Sequence, residues 1–188
     1  MNVPAAPGLG GGLAITVRSA RPGDAEAIAQ LHVASWRVAY RGIVDDAYLD
    51  ALDVGARAAM WAERLADPAP TMRTLVAEAD ADLVGFVTAG PSRDDDADPG
   101  TGEVQAIYVA PDAWGTGAGR ALITAALEAL ACAYRRVTLW VLHDNASARR
   151  FYAAAGFAVD GATTTARIGE ADLTEVRYAR DLAPSPRC

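Results

Sequence analysis

A glycine-rich segment between a predicted strand and a predicted helix constrains the fold of this chain most. It reads Trp114-Gly-Thr-Gly-Ala-Gly-Arg120 and follows a strand pattern over 103–109. A helix that opens at Arg120 then presents one apolar face, made by Leu122, Ile123, Ala126, Leu127 and Leu130. Backbone N–H groups at a helix start are unpaired, and the helix dipole adds about half a positive charge there. This order of elements therefore predicts a site for a diphosphate.

The spacing of the glycines separates this loop from a dinucleotide-binding loop. The dinucleotide motif requires Gly-x-Gly-x-x-Gly. Here Gly115 and Gly117 are followed by Arg120, and Gly117 and Gly119 are followed by Leu122. NAD is therefore excluded as a ligand of the loop. On this motif alone, a glycine turn that merely reverses the chain remains the alternative.

The charged residues exclude several classes of protein. All 17 basic residues are arginine, so the chain lacks the lysine amine of Schiff-base aldolases, pyridoxal-phosphate enzymes, Walker-A hydrolases and protein kinases. The formal net charge of −7 argues against nucleic acid or an anionic membrane as a partner, because both are bound through a basic face. A cationic partner suits this charge better.

We expect one domain in the cytoplasm. Residues 1–12 are rich in glycine, proline and alanine and are interpreted as a flexible leader, 13–182 as a single domain, and 183–188 as a tail. The sequence shows no signal peptide and no run of about 18 apolar residues. Cys132, in an alanine-rich helical stretch, and Cys188 are too few and too badly placed for a disulfide framework, which indicates a reducing compartment.

Hydrophobic periodicity predicts a mixed α/β (α+β) fold with about six to seven strands and flanking helices. Asp24 and Asn145 are predicted helix caps, and Gly156 is predicted to end the second of these helices in a left-handed conformation. Strands are expected at 13–17, 74–78, 83–88, 103–109, 137–142, from 157 onward and at 175–180, and helices from 24, at 54–66, from 120 and at 145–155. The almost wholly apolar strand 137–142 belongs at the centre of the sheet.

A second motif, Asn145-Ala-Ser-Ala-Arg-Arg-Phe-Tyr-Ala-Ala-Ala-Gly-Phe157, follows that central strand. With the glycine loop upstream, it resembles the GNAT superfamily of acyl-CoA-dependent N-acyltransferases. The resemblance runs from Leu13 to about Leu182 in element order and is most specific from Glu103 to Phe157. The family's loop has the form Gln/Arg-x-x-Gly-x-Gly/Ala, and this chain departs from it in having Trp114 at the first position. The resemblance implies a GNAT fold with an acyl-CoA cleft between two splayed central strands.

The resemblance also implies acetyl-CoA as co-substrate. Main-chain groups of the glycine loop would hold its diphosphate, and those of Ile107 and Val109 would pair with the pantetheine arm as an added strand does. Asn145 would reach the pantetheine or simply cap its helix, and Arg149 would reach the 3′-phosphate or lie on a solvated face. The predicted cofactor-binding residues are Ile107, Tyr108, Val109, Trp114, Gly115, Thr116, Gly117, Ala118, Gly119, Arg120, Asn145 and Arg149.

Two residues are the predicted catalytic groups. Tyr152 takes the place of the family's general acid, which would protonate the departing CoA thiolate; the alternative is a tyrosine that anchors its helix on the sheet. Glu103 is the predicted base, because residues four apart on a strand share a face and Glu103 would then point with Ile107. The alternative is a solvated glutamate at a strand end, with Gln105 on the same face. A backbone N–H of Ile107 or Tyr108 would stabilise the oxyanion.

The acceptor is expected to be a primary amine of a small molecule. By family analogy it would contact Trp36, Tyr40, Arg41 and the segment 42–46, since aromatic rings beside carboxylates suit a cation. For Trp36 alone, packing on the sheet is the stronger interpretation. A protein N-terminus as acceptor and a non-catalytic acyl-CoA-binding module remain alternatives, and a homodimer stays open.

No metal site is predicted. Asp94, Asp96 and Asp98 alternate as in a calcium loop, but Pro99 stands where that loop needs glycine and Gln105 where it needs glutamate. The two histidines, His32 and His143, lie more than a hundred residues apart without further ligands at zinc spacing. His32 is expected to pack along its helix.

Overall fold

A computed structural model describes residues 14–183 as a seven-stranded sheet with five α-helices. The strands are β1 (Ile15–Ser19), β2 (Arg73–Ala79), β3 (Asp82–Pro91), β4 (Thr101–Val109), β5 (Arg136–Leu142), β6 (Ala158–Ile168) and β7 (Ala171–Asp181). The helices are α1 (Ala25–Ala39), α2 (Asp46–Asp50), α3 (Val54–Ala66), α4 (Ala118–Leu130) and α5 (Ala146–Ala154). The predicted leader 1–12 and, apart from residue 183, the predicted tail lie outside the described residues.

The strand order β1-β2-β3-β4-β5-β7-β6 places β4 and β5 side by side in the middle of the sheet. They form its parallel pair, and their neighbours are antiparallel, which confirms the predicted mixed fold. The ladder between β4 and β5 joins only Thr101–Glu103 to Arg136–Thr138. Beyond these residues the two strands diverge, so the predicted cleft between splayed central strands is present.

Helices cover both faces of the sheet. The predicted apolar face of α4 is buried as expected and packs, with Tyr152 and Phe157, on one face of the central strands. Helices α1 and α3 pack on the other face around Ile28, Trp61 and Phe86. A third apolar cluster joins α2 to the ends of β5, β6 and β7 and lies beside Trp36 and Tyr40. The sheet that contains the gap between β4 and β5 is therefore covered by a separate packed layer on each face.

A β-bulge in β4 changes the direction of the predicted base. Thr88 pairs with Ala106 and Ala89 with Val104, so Gln105 is an extra residue in the ladder. Before this residue in the chain, the alternation of side chains between the two faces of the sheet is shifted by one. Val104 and Ile107, three positions apart, therefore both pack on the α4 face. Glu103, next to Val104, must then face the α1 layer. The expectation that Glu103 shares a face with Ile107 is wrong, because one inserted residue reverses the parity of the strand.

Three smaller expectations also need correction. The Asp24 side chain does not cap α1, because it accepts bonds from Arg18 and from the Arg21 amide instead. Helix α4 begins at Ala118, two residues earlier than predicted. Cys132 is disulfide-bonded. Because α4 ends at Leu130, Cys132 lies in an exposed turn rather than in the helix, and it gives no argument for a reducing compartment.

Across residues 14–183, no helix combines the length and the apolar character that crossing a membrane requires.

Candidate active site

The glycine loop forms an open cradle at the start of α4. Gly115 and Gly117 have φ values of 80° and 97°, a left-handed region that side chains disfavour. A Cβ at either position would meet no atom of the described residues within 4 Å, so these residues leave the space above the loop free. Gly117 precedes the helix without a side-chain cap, which leaves the first amides of α4 for a ligand. A Cβ at Gly119 would lie 3.3 Å from Phe151, so this glycine lets α4 approach α5.

The side chains of the loop mostly hold the loop itself. Trp114 is half exposed, and its Nε1 donates to the Val109 carbonyl at 2.9 Å. Thr116 donates from Oγ1 to the Ala113 carbonyl at 2.8 Å. Ala118 is buried in the core, so only its amide faces outward, while Arg120 is exposed beside Gly117. The predicted anion site is thus built from main chain, with Arg120 as the charged side chain beside it.

The exposed edge of β4 offers fewer main-chain groups than predicted. The Ala110 amide donates to the carbonyl of Val84 on β3. Main-chain groups alternate in direction along a strand, so Tyr108 also turns its amide and carbonyl toward β3. Ile107 and Val109 turn theirs toward the cleft. The Val109 carbonyl accepts from both Ser35 Oγ and Trp114 Nε1, each at 2.9 Å. Its two lone pairs are therefore used. Of the two predicted oxyanion donors, only the Ile107 amide faces the cleft.

Tyr152 lies on α5 with its ring packed against Phe151, Phe157 and Tyr178. Burial, and then the nearby Tyr108 phenol, raise the pKa of Tyr152 well above its usual value. Its hydroxyl has no hydrogen-bond partner among residues 14–183, and it lies close enough to the Tyr108 phenol on β4 for the two to interact electrostatically. The ring anchors α5 and the phenol remains available, so the two interpretations of this residue coexist.

Tyr40 and Tyr108 bring two further phenols to the same place. Their hydroxyls lie 3.3 Å apart, and burial followed by the charge of Tyr108 raises the pKa of Tyr40. Trp36 packs on Tyr40 with ring centroids 4.9 Å apart. Both predicted acceptor-binding aromatics therefore lie beside the cleft. Arg41 points away from it and forms exposed ion pairs with Asp46 and Asp50.

Glu103 is buried rather than solvated. Its Oε2 accepts from both the backbone amide and Nε of Arg93, each at 3.0 Å, and Arg93 Nη2 contacts Oε1. The carboxylate raises the pKa of Arg93, as expected for a close ion pair. Both oxygens of the carboxylate are thus occupied by the guanidinium beside it. The structure thus gives Glu103 a partner that the sequence did not suggest.

The two polar residues at α5 that were predicted to bind the co-substrate both form hydrogen bonds within the protein. The Asn145 side chain accepts from the Ala148 amide at 3.0 Å and caps the helix, as predicted. Arg149 donates from Nε to the Tyr178 hydroxyl at 3.2 Å and from Nη1 to the His143 carbonyl at 3.0 Å. These bonds tie α5 to β7 and to the end of β5. They occupy the guanidinium that was predicted to bind the 3′-phosphate.

The acidic loop after β3 is ordered by one arginine. Arg177 on β7 pairs with Asp94, Asp96 and Asp160 and stacks on Trp140. Two of the three alternating aspartates thus bind a guanidinium. The sequence did not reveal the contact of Arg177 with this loop or that of Ser35 with Val109, because each joins residues more than 70 positions apart. It also did not reveal the contact of Arg93 with Glu103, ten positions along the chain.

A model of the acetyltransferase (GNAT) family matches residues 26–157, which include the glycine loop and Tyr152. The chain belongs to this family. An N-acetyltransferase of Mycobacterium tuberculosis, Rv2775, is 32% identical over 155 residues, 80% of this chain and 84% of that protein. The N-acetyltransferase YuaI of Bacillus subtilis is 33% identical, over 71% of this chain and 75% of that protein. This GNAT protein is accordingly an acyltransferase.

Solved GNAT structures share the fold. The PaiA N-acetyltransferase of Thermoplasma acidophilum, in complex with coenzyme A, matches with a TM-score of 0.68 and 19% identity, covering 90% of this chain and 99% of that one. YncA from Salmonella typhimurium, with acetyl-CoA, matches with a TM-score of 0.66 and 23% identity, covering 92% and 98%. A mycothiol acetyltransferase of Rhodococcus opacus is 34% identical over 75% of this GNAT chain, which spans 47% of that protein.

Proposed function

We propose that this GNAT enzyme transfers the acetyl group of acetyl-CoA directly to the primary amine of a small molecule. The observation that carries the proposal is the gap between β4 and β5, which has the open glycine cradle at one end and the free Tyr152 hydroxyl beside it. The relatives with bound coenzyme A or acetyl-CoA have the same fold. The cytoplasm, expected from the sequence, stays a prediction.

The residues of the cleft fit acetyl-CoA. The unpaired amides at the start of α4 suit a diphosphate without any lysine, and the exposed Arg120 adds a positive charge next to them. The cleft-facing main chain of Ile107 suits the amide groups of the pantetheine arm. The co-substrate supplies an activated acetyl group, and the protein supplies hydrogen bonds that place the thioester between the two strands.

The chemistry requires one bond to form and one to break. The amine nitrogen attacks the thioester carbon, and the Ile107 amide donates to the developing oxyanion. Collapse of the tetrahedral intermediate breaks the carbon–sulfur bond, and Tyr152 protonates the departing sulfur. Burial raises the pKa of the Tyr152 phenol, so the phenol is protonated at neutral pH and carries the proton that the departing sulfur takes up.

A small acceptor fits the enclosed end of the cleft. The end of the β6–β7 hairpin packs on α2, where a Cβ at Gly169 would lie 3.0 Å from the Tyr48 ring. Ile168 and Leu173 join Tyr40 in the same apolar cluster. These contacts hold the end of the hairpin against α2 beside Tyr40, and this apolar packing next to the predicted acceptor site supports a small molecule over a protein N-terminus.

The first test is a thermal-shift titration with acetyl-CoA, with NAD and ATP as controls. A ligand at about 100 times its Kd adds about 2.7 kcal/mol to the free energy of unfolding. Stabilisation by acetyl-CoA alone supports the co-substrate, and no shift at millimolar acetyl-CoA contradicts the proposal. A panel of 1,4-diaminobutane, glucosamine and a peptide with a free alanine N-terminus is then assayed for CoA release. Binding without release from any amine would support the non-catalytic module.

Tyr152→Phe tests the acid. We expect kcat to fall by about 10²–10⁴ with acetyl-CoA binding retained, because only the proton donor is lost. Tyr134→Phe is the matched control, since its ring is also partly buried but lies against Gly102, at the opposite end of β4. Equal activity of the two variants would refute the assignment of Tyr152.

A further inference from the structure

Glu175 on β7 lies on the face of the sheet that α1 covers, beside the predicted acceptor-binding residues. It pairs with Leu142 on β5 and with Thr164 on β6. Its neighbour Val176 is buried in the α4 layer, so strand alternation turns Glu175 toward the opposite face. Leu173, on the same face of β7, packs in the cluster that contains Tyr40. The carboxylate therefore points toward the part of the cleft where the amine is expected.

Glu175 has no partner there, in contrast to the acidic side chains around it. The residue is half buried, and its carboxylate forms no hydrogen bond or ion pair with any residue from 14 to 183. On β4, Glu103 is held by Arg93, and beside β7 the aspartates are held by Arg177. Leaving a half-buried carboxylate unpaired costs free energy, and such a cost is characteristic of groups that act on a ligand.

The charged and titratable groups that face Glu175 come from three directions. The charges of Arg93, in the loop after β3, and Glu103, on β4, act on the Glu175 carboxylate. The charge of Glu175 in turn acts on the phenols of Tyr40, just after α1, and Tyr108, on β4. Burial is the main cause that raises the pKa of Glu175; Arg93 lowers it and Glu103 raises it further. On β7 itself, Arg177 is neutralised by its aspartates.

We propose that Glu175 binds the acceptor as an ammonium ion and removes the proton that the amine must lose before it attacks acetyl-CoA. The inference rests on the proposed function and deepens it, because it defines the acceptor class as primary amines that are charged at neutral pH. Trp36, Tyr40 and Tyr108 present aromatic rings beside this part of the cleft, which suits a cation. Glu103, the base expected from the sequence, is already paired with Arg93.

The protons balance without a further reactant. The ammonium ion gives one proton to Glu175, which is partly exposed and returns it to solvent. The neutral amine attacks, and Tyr152 gives its proton to the sulfur as the carbon–sulfur bond breaks. The phenolate then recovers a proton from the nitrogen, which has become cationic through the new carbon–nitrogen bond. The products are the N-acetyl amine, CoA with a free thiol, and one proton.

Glu175→Gln tests the inference, with Glu170→Gln as matched control. Both changes remove one negative charge from the β6–β7 hairpin, but Glu170 lies in its exposed turn. For the amine of the panel that the wild type acetylates, we expect kcat/KM of Glu175→Gln to fall by about 10²–10³, with KM for the amine raised. The loss of activity toward low pH, which reports protonation of Glu175, should disappear. Acetyl-CoA should stabilise both variants as it stabilises the wild type.

Glu175→Asp keeps the carboxylate on a shorter side chain and should retain the low-pH limb with a smaller loss of kcat/KM. It also provides the test if the glutamine variant does not fold. An active wild type, together with a Glu175→Gln variant that matches Glu170→Gln in kcat/KM and in pH profile, would overturn the inference and leave the proposed function standing. A wild type that binds acetyl-CoA and acetylates none of the amines would overturn the proposed function and this inference with it.

Discussion

His32 makes the stability of the protein depend on pH. It is 7% exposed on α1, and its ring lies among Trp36, Trp61, Phe86 and Tyr108, the last at 4.7 Å between centroids. Its Nδ1 has no hydrogen-bond partner among residues 14–183. Burial, and then the charges of Arg57 and Arg64 on α3, lower its pKa from 6.5 to about 3. The folded protein therefore holds this imidazole neutral where the unfolded chain would protonate it.

The magnitude follows from proton linkage. Above pH 6.5 the imidazole is neutral in both states, so the stability is fully present. As the pH falls from 6.5 toward 3, the unfolded state alone gains the proton, and the free energy of unfolding drops by about 1.4 kcal/mol per pH unit. At pH 5 the loss amounts to about 2 kcal/mol. That is a large part of the stability of an ordinary domain.

The assay is urea unfolding, followed by tryptophan fluorescence from pH 5 to pH 8, for the wild type and His32→Leu. Leucine has a similar volume, does not titrate and removes the unpaired Nδ1. Carboxylates contribute equally to both proteins, so the difference between them isolates His32. We expect the wild type to lose about 2 kcal/mol more than His32→Leu between pH 7.5 and pH 5. His143→Gln, at an exposed histidine, should follow the wild type, whereas parallel curves for wild type and His32→Leu would refute the reasoning.

Two further predictions concern the loop and the buried ion pair. Gly117→Ala should cost about 1–2 kcal/mol of stability and weaken acetyl-CoA binding, because alanine disfavours a φ of 97°. Thermal unfolding measures the stability, and titration with acetyl-CoA measures the binding. The control Gly23→Ala, where a Cβ would meet no described atom within 4 Å, should behave like wild type. Arg93→Ala should cost about 1–3 kcal/mol in urea unfolding, because the Glu103 side chain, 2% exposed, loses its donors. Adding Glu103→Gln to this variant should recover part of the lost stability. No recovery would mean that the Arg93–Glu103 pair does not stabilise the loop after β3.

The sequence predicted the elements whose signals are local. The apolar face of α4, the Asn145 cap and the left-handed Gly156, with φ of 83°, all follow from spacing and from the conformational needs of single residues. The strands and the mixed sheet follow in the same way, and the resemblance supplied the gap between the central strands. These features depend on residues that are near one another in the chain.

The parts that escaped prediction depend on contacts between distant residues. No residue type marks Gln105 as a bulge, yet that one residue turns Glu103 to the other layer. Arg177 and Asp94 are 83 positions apart, and Ser35 and Val109 are 74 apart. Nothing in the sequence distinguished Glu175 from other strand residues; its surroundings became clear only from Leu142 on β5 and Tyr40 just after α1. Tyr152 could be proposed as the acid from a motif, whereas Glu175 could be proposed as the base only from the fold.

The short ladder between β4 and β5 also bears on how the molecule opens. Only three ladder pairs join the strands of the half-sheet β1–β4, which α4 covers, to those of the half-sheet β5–β7. Local opening between the halves breaks few backbone hydrogen bonds, so amide hydrogen exchange should reveal two cooperative units of different stability. A ligand that hydrogen-bonds along the diverging edges would couple these units. Binding would then slow exchange far from the ligand itself and merge two unfolding steps into one.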